Sequence, residues 1–262
     1  MSERLLKTGL LAARQAGKAI CRGFRNLGAG DIEAKGRNDF VTRVDREAEA
    51  IIKNTIARNF PGHQILAEET GYSPRASEYL WVIDPLDGTT NFIQGIPHFA
   101  VSLALLKDGK VDFALIHDPM VKESFHAYAG HGAFLNDTRI AVSRTGELGS
   151  AVGATGFPFK APQFLHPYAG AFEFMMSQCQ DMRRCGSAAL DLAYTACGRY
   201  DFFWESYLLP WDFMAGNLLI EEAGGKSSDF RGQELPVGTS SVLAANKTLF
   251  PVLLKAIGDY FK

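Results

Sequence analysis

The chain has 262 residues, 47% of them hydrophobic and 21% charged, with a formal net charge of -2. It is long enough to bury a substantial core and has ordinary globular composition. Nothing in that bulk charge argues for a nucleic-acid or anionic-membrane partner.

Leu5, Leu6, Leu10, Ala13, Ala16, Ile20 and Phe24 recur at helical spacing, with Glu3, Arg4, Lys7, Arg14 and Lys18 on the opposite face. Arg14 and Lys18 interrupt the apolar stretch, so it fits neither a signal peptide nor a membrane span, and a cytoplasmic protein is expected. A second helix is expected from near Thr42, with Val44, Ala48, Ile51, Ile52, Thr55 and Ile56 on one face and Pro61-Gly62 ending it. Residues 64–67 and 80–83 are short apolar runs that stop at acidic residues, and read as buried strands. Residues 100–106 and 111–117 flank Lys107-Asp108-Gly109-Lys110, a hairpin signal. Strands are also expected at 123–128 and 139–142.

The second half alternates. Strands are expected at 152–155, 200–204 and 242–245. Helices are expected at 164–179 (broken or started around Pro167), 187–197 with Ser187 as cap, 212–223 and 249–260. There is no repeat, low-complexity tract or obvious linker. The chain reads as a single α/β domain of layered sheets and helices, with a weak boundary near 146–149.

Cys21, Cys179, Cys185 and Cys197 form no CxxC pair and read as reduced thiols. His98, His117, His126 and His131 are scattered and read as hydrogen-bonded structural residues, so nothing in the spacing suggests zinc.

The strongest chemical signal is Trp81-Val82-Ile83-Asp84-Pro85-Leu86-Asp87-Gly88-Thr89-Thr90. An apolar strand ends in a carboxylate, and a second carboxylate follows three residues later. Pro85 is expected to stop the strand, since it lacks the N–H that a ladder needs. Gly88 permits a tight turn, and a helix starting there would aim free N–H groups at an anion. Glu68-Glu69 lies at another strand end, while Asp45 and Asp212 stand where helices begin. Each alone is a plausible cap or solvated charge. Together they are several carboxylates at element ends, which is how magnesium is held.

These blocks resemble the inositol monophosphatase family. Asp84-Pro-Leu-Asp-Gly-Thr is similar to its first signature. Trp211-Asp-Phe-Met-Ala-Gly, followed by Glu221-Glu-Ala-Gly-Gly225, is similar to its second. Asp39-Phe-Val-Thr-Arg-Val-Asp45 and Ala67-Glu-Glu-Thr-Gly71 resemble its two earlier blocks, in the right order. The resemblance runs to about residue 246. It implies the αβαβα sandwich of the inositol monophosphatase and fructose bisphosphatase type.

By the same resemblance, Glu68, Asp84, the Leu86 carbonyl, Asp87 and Asp212 would hold two or three Mg2+ ions. Glu68 and Thr89 would orient the attacking water, with Asp45 supporting Thr89. Gly88 and Thr89 would donate N–H groups to the phosphate. Gly186, Ser187, Ala188, Glu205 and Asp212 would face the substrate, and Lys35 would lie nearby. Lithium sensitivity and a homodimer are implied too. The implied reaction is hydrolysis of a small phosphate monoester, inositol 1-phosphate first, by metal-activated water.

Three other readings compete. Enzymes that phosphorylate an aspartate carry Asp-x-Asp-x-Thr, whereas here Pro85 and Leu86 both separate the acids. Related phosphatases cut fructose 1,6-bisphosphate, 3′-phosphoadenosine nucleotides or histidinol phosphate; the short block 71–79 favours the compact monophosphatase type. Residues 154–160 and 182–194 resemble the family's bacterial SuhB branch. Some of its members act as binding modules with Nus factors and RNA polymerase in ribosomal RNA antitermination. That analogy makes Arg183 and Arg184 candidate surface contacts.

Overall fold

The computed structural model describes residues 2–73 and 77–261, so 74–76 of the short block lie outside the described residues. In chain order the elements are α1 (Ser2–Gly23), β1 (Ile32–Gly36), β2 (Asp39–Thr42), α2 (Arg43–Asn59), β3 (Gln64–Ala67), β4 (Gly71–Ser73), β5 (Tyr79–Asp87) and α3 (Thr89–Ile93). Then come β6 (Ala100–Lys107), β7 (Lys110–Asp118), β8 (Glu123–Tyr128), β9 (Gly132–Leu135), β10 (Thr138–Ile140), β11 (Val152–Thr155), α4 (Leu165–Gln178) and β12 (Asp181–Arg183). The last are α5 (Ala188–Ala196), β13 (Phe202–Ser206), α6 (Pro210–Glu222), β14 (Lys226–Ser228), β15 (Ser241–Ala245) and α7 (Phe250–Gly258).

An eight-stranded sheet runs β10-β9-β8-β7-β6-β5-β3-β4, and a five-stranded sheet runs β12-β11-β13-β15-β14. Side-chain alternation sorts each strand between two cores. Trp81 and Ile83 of β5 and Val101, Leu103 and Leu105 of β6 pack on α1 and α2. Val82, Ala104 and Leu106 face the other way, onto a core shared with Leu190, Leu192, Phe213 and Leu219 of α5 and α6. Phe203, Val242 and Ala244 of the second sheet join that same core. On its far side Phe202, Trp204, Leu243 and Ala245 pack on Tyr168, Met175, Leu253 and Ile257 of α4 and α7. The layers are therefore α, β, α, β, α. Phe202, Phe203 and Trp204 are fully buried core, whereas Tyr207 is 45% exposed. The weak boundary near 146–149 lies beside a 3-10 turn at Leu148–Ser150, and the α5–α6 core joins both sheets.

Several elements were not anticipated. All of β1 is exposed, so it has no apolar alternation to betray it. The three-residue strands β4, β12 and β14 are too short for a period to register. Pro85 does not stop its strand. β5 continues to Asp87, with a register shift between Asp84 and Asp87 against β6. At such a bulge no ladder N–H is required of the proline. Pro167 falls in the first turn of α4, where a missing N–H costs little. Among the described residues no helix is long and apolar enough to cross a membrane.

Candidate active site

The end of β5, the start of α3, the start of α5 and the start of α6 meet around a cavity of about 420 Å3. Glu68, Asp84, Leu86, Asp87, Gly88, Thr89, Gly186, Ser187, Ala188, Glu205 and Asp212, the residues singled out from the sequence, all line it. Asp45 stands one layer behind, completely buried.

Asp84, Asp87 and Asp212 each offer a carboxylate oxygen, and these oxygens lie within 4.8 Å of one another. The chain anchors one oxygen of each. The Leu86 N–H donates to Asp84 Oδ1 at 2.9 Å across the bulge that Pro85 creates. The Ser187 hydroxyl and the Ala189 N–H donate to Asp87 Oδ2 at 2.5 and 2.8 Å. The Leu209 N–H donates to Asp212 Oδ2 at 2.7 Å, with Pro210 opening α6. So the cap role and the cluster role are not rivals. The capping bond orients the carboxylate and leaves its second oxygen for a cation.

The electrostatics fit an oxygen-rich cation site. Burial, and then the charges of Glu68, Asp87 and Asp212, push Asp84 well above the usual carboxylate range. Burial pushes Asp87 up to about 6 despite its hydrogen bonds. Asp212 is raised by burial and by Asp87 and Glu68. No ion pair involves any of these three aspartates among the described residues. An uncompensated cluster of this kind favours protonation or a hard divalent ion. Oxygen donors alone suit Mg2+.

Around the cluster, Glu49 fixes the Glu68-Glu69 turn, accepting from the Glu69 N–H at 2.9 Å and the Thr70 hydroxyl at 2.6 Å. Lys35 Nζ bridges Glu68 and Glu69 at 3.0 and 2.9 Å. Burial alone would lower the Lys35 ammonium, but the two carboxylates outweigh it and hold it above the usual range. Thr42 caps α2, and Asp45 accepts from the Thr42 N–H at 3.0 Å through its Oδ2. Its Oδ1 accepts from the Thr89 hydroxyl at 3.1 Å. Burial lifts Asp45 to about 6 even with these donors. The Thr89 hydroxyl also lies 3.1 Å from the Leu86 carbonyl. Gly88 has φ +97°, and a Cβ there would sit 3.0 Å from the His98 carbonyl. Only glycine lets the bulge turn into α3 so closely beneath its neighbours.

The far wall comes from the second half. Glu205 is half-buried and pushed up to about 8, by burial first, with Arg184 opposing and Asp87 adding. Gly156 makes room for it, since a Cβ there would meet the Glu205 carboxylate at 1.9 Å. Arg184 lies over the rings of Phe157 and Phe159, at 5.2 and 5.6 Å, and lines the cavity mouth. Arg183 is paired with Asp181 at 2.5 Å on the surface. Lys160 reaches Asp39 at 2.7 Å across the mouth. Asp191, Phe157, Phe159 and Asp39 were not singled out as cavity residues. They fall in the segments 39–45, 154–160 and 182–194, which the sequence marked by family resemblance without assigning these side chains to the site.

The histidines divide. His117 Nδ1 lies 3.0 Å from the Glu123 carbonyl and His126 Nε2 lies 2.9 Å from that of Asn136, as expected of structural residues. His98 departs from the expectation: its Nε2 is buried without a hydrogen-bond partner among the described residues, and its ring stands edge-on to Tyr194.

A model of the inositol monophosphatase family matches residues 1–261. The chain belongs to the inositol monophosphatase family. The family match continues past residue 246, where the recognisable blocks end. The Nus factor SuhB of Escherichia coli (strain K12) is 45% identical over 256 residues, covering 97% of this chain and 96% of that protein. The crystal structure of extragenic suppressor protein suhB from Bartonella henselae superposes with a TM-score of 0.92 at 38% identity, covering 97% of this chain and 98% of that one. An IMPase from Thermotoga maritima gives a TM-score of 0.91 at 34% identity, covering 100% and 98%. The αβαβα sandwich is thus the inositol monophosphatase fold, and the chain is a member of a phosphatase family.

Proposed function

We propose that the chain is a Mg2+-dependent phosphatase of small phosphate monoesters, with inositol 1-phosphate as the first substrate to test. One observation carries it: three carboxylates converge within 4.8 Å at the cavity wall, each with one oxygen anchored and one free. Glu68, Asp84, the Leu86 carbonyl, Asp87 and Asp212 would hold the ions, two or three in number. Bound there, Mg2+ supplies Lewis acidity for activating water and for neutralising the leaving oxygen.

The chain's own groups do the rest. The Thr89 hydroxyl donates a hydrogen bond to Asp45 Oδ1, which leaves the Thr89 oxygen lone pairs to accept from water in the cavity. Glu68 lies on the same wall and shares that orienting role. Gly88 and Thr89 present backbone N–H groups to the phosphate. Ser187 keeps Asp87 in place, and Gly186 and Ala188 shape the wall against the substrate's carbon skeleton. Glu205 accepts from a substrate hydroxyl, and Asp212 faces the same ligand. Lys35 offsets the Glu68-Glu69 charge until the site is loaded. We read the chain as one catalytic domain, cytoplasmic and a homodimer, with lithium competing for the cation site.

The test is phosphate release from inositol 1-phosphate, glycerol 2-phosphate, fructose 1,6-bisphosphate and 3′-phosphoadenosine 5′-phosphate, with Mg2+ and with chelator. Mg2+-dependent release from inositol 1-phosphate, lost in Asp84→Asn and Asp212→Asn, supports the reading. No release from any of them by a folded, Mg2+-loaded protein sinks it.

A second reading is favoured by the Nus factor SuhB relatives at 45% identity. In it the protein binds Nus factors and RNA polymerase in ribosomal RNA antitermination. A pulldown at low salt tests it. Association retained by Asp84→Asn separates the two roles, and no association removes this one.

A further inference from the structure

A second group of side chains converges outside the carboxylate cluster. His98 stands just before β6, Cys185 just before α5, and Asp191 in the first turn of α5. One potential ligand atom from each lies within 4.8 Å of the others. Asp191 is 1% exposed, and its Oδ1 has no hydrogen-bond partner among the described residues. His98 Nε2 is buried and unpartnered in the same way. Native proteins keep few such atoms, and two of them on residues that cluster with a thiol call for an occupant.

The backbone holds the three together. The Asn91 amide donates to the His98 carbonyl at 2.7 Å and to the Cys185 carbonyl at 2.8 Å, so both segments are pinned to one side chain. The Tyr194 ring stands edge-on to His98, at 6.1 Å and 74°. The Tyr200 hydroxyl lies 3.5 Å from Cys185 Sγ. Burial holds the His98 imidazole below its usual range, in the neutral form that ligates metals.

We propose that His98, Cys185 and Asp191 are the ligands of a thiolate-containing divalent metal site that takes Zn2+ in preference to Mg2+. An imidazole nitrogen, a thiolate sulfur and one carboxylate oxygen form a borderline-soft donor set, which suits tetrahedral Zn2+ and not octahedral Mg2+. Bonds of about 2.0–2.3 Å put tetrahedral ligand atoms roughly 3.5 Å apart, inside the 4.8 Å that bounds the three here. The thiol proton leaves to solvent as the metal binds. The fourth position is open to the Tyr200 hydroxyl or to water. Cys185 leads directly into Gly186 and Ser187, and Ser187 holds Asp87. Occupancy therefore stiffens the segment that joins this site to the cavity wall. The site does not depend on the phosphatase reading.

Co2+ is the probe. The full chain is stripped with chelator, saturated with Mg2+ to fill the oxygen cluster, and titrated with CoCl2. One equivalent is expected to give a thiolate-to-cobalt charge-transfer band in the near ultraviolet and tetrahedral visible bands, both bleached by one equivalent of Zn2+. An all-oxygen site gives no thiolate band. Cys185→Ser should lose it, His98→Gln should weaken Co2+ binding about tenfold or more, and Cys21→Ser should keep it. A wild-type protein without the band, or a band unchanged in Cys185→Ser, overturns the proposal. Alkylation of the wild type checks the same site without a variant. Zn2+ should protect Cys185, and an unchanged alkylation rate at Cys185 overturns the assignment as well.

Discussion

The two walls of the cavity are built differently. The carboxylate wall sits where local structure ends: Asp84 and Asp87 flank the bulge of β5, and Asp212 caps α6. Each acid is oriented by an N–H from its own segment or from the start of a neighbouring helix. The substrate wall is assembled from distant segments: 156–160, 184–188 and 205–208. Its members meet only because the second sheet stacks over α5 and α6. Rigid, charge-dense machinery lies at element ends, and the recognition surface lies on the segments that folding brings to it.

The largest effects should come from the carboxylate wall. Asp84→Asn should lower Mg2+-dependent phosphate release by roughly a thousandfold, since several kcal/mol of charge stabilisation is lost at about 1.4 kcal/mol per tenfold. The same change should raise the melting temperature of the metal-free protein. It removes a buried carboxyl that above its unfolded pKa must either take up a proton or stay ionised against burial and the charges of Glu68, Asp87 and Asp212, and an asparagine Oδ1 still accepts from Leu86. Each kcal/mol relieved is worth about 2–4 °C in a chain of this size. For the wild type, Mg2+ should raise the melting temperature and chelator should lower it. An inactive variant that is also less stable without metal would mean that Asp84 is a structural cap and little more.

Thr89→Ala comes next. It removes the hydroxyl that Asp45 orients, and should lower kcat by about a hundredfold with little change in KM, within the range of positioned proton-transfer groups. An effect on KM alone would place Thr89 on the binding side.

Much of the first wall was legible in the sequence because its signals are local. A strand followed by Asp-x-x-Asp-Gly-Thr, and caps at Thr42, Ser187 and near Asp212, show within a few residues. The bulge was not legible. Pro85 reads as a strand terminator until the partner strand shows that no ladder bond is needed there. The pairing of Gly156 with Glu205 is invisible too, since neither residue is unusual alone and the contact depends on neighbouring strands of one sheet. His98 and Cys185 fail as a metal motif by spacing and succeed only through the Asn91 stitch.

Glu205 supplies a pH test of the second wall. Its carboxyl moves from 4.5 to about 8 in the folded, metal-free chain. Between these values the folded state keeps a proton that the unfolded state has lost. Stability is therefore greatest at low pH and falls as pH rises, by up to about 1.4 kcal/mol per unit for one group. Glu69, raised to about 7, adds to the lower part of that window. His117 is lowered to about 4 and acts with opposite sign, but only below its unfolded value of 6.5. Thermal unfolding between pH 6.5 and 8 isolates the carboxylates, to which Asp84, Asp191 and Asp212, all raised by burial, contribute with the same sign. Glu205→Gln should make that slope shallower by the share of one group and raise KM about tenfold, the worth of one good hydrogen bond. An unchanged slope would put the Glu205 charge elsewhere.

The smallest effect should come from Lys160→Ala. Its pairing with Asp39 at 2.7 Å joins the β1–β2 hairpin to the segment carrying Phe157 and Phe159. The side chains are 43% and 32% exposed, so the pair is worth about 0–1 kcal/mol. Stability should barely move. If the 156–160 segment forms part of the substrate wall, freeing it should raise KM by about two- to fivefold and leave kcat unchanged, an effect no larger than the pair itself. Salt provides the control. An exposed pair is screened, so the wild type and Lys160→Ala should converge at about 1 M salt, where the Debye length is about 3 Å. Convergence in KM assigns the effect to the ion pair. A gap that persists in high salt means that Lys160 touches the substrate directly, and the mouth then recognises charge as well as closing over it.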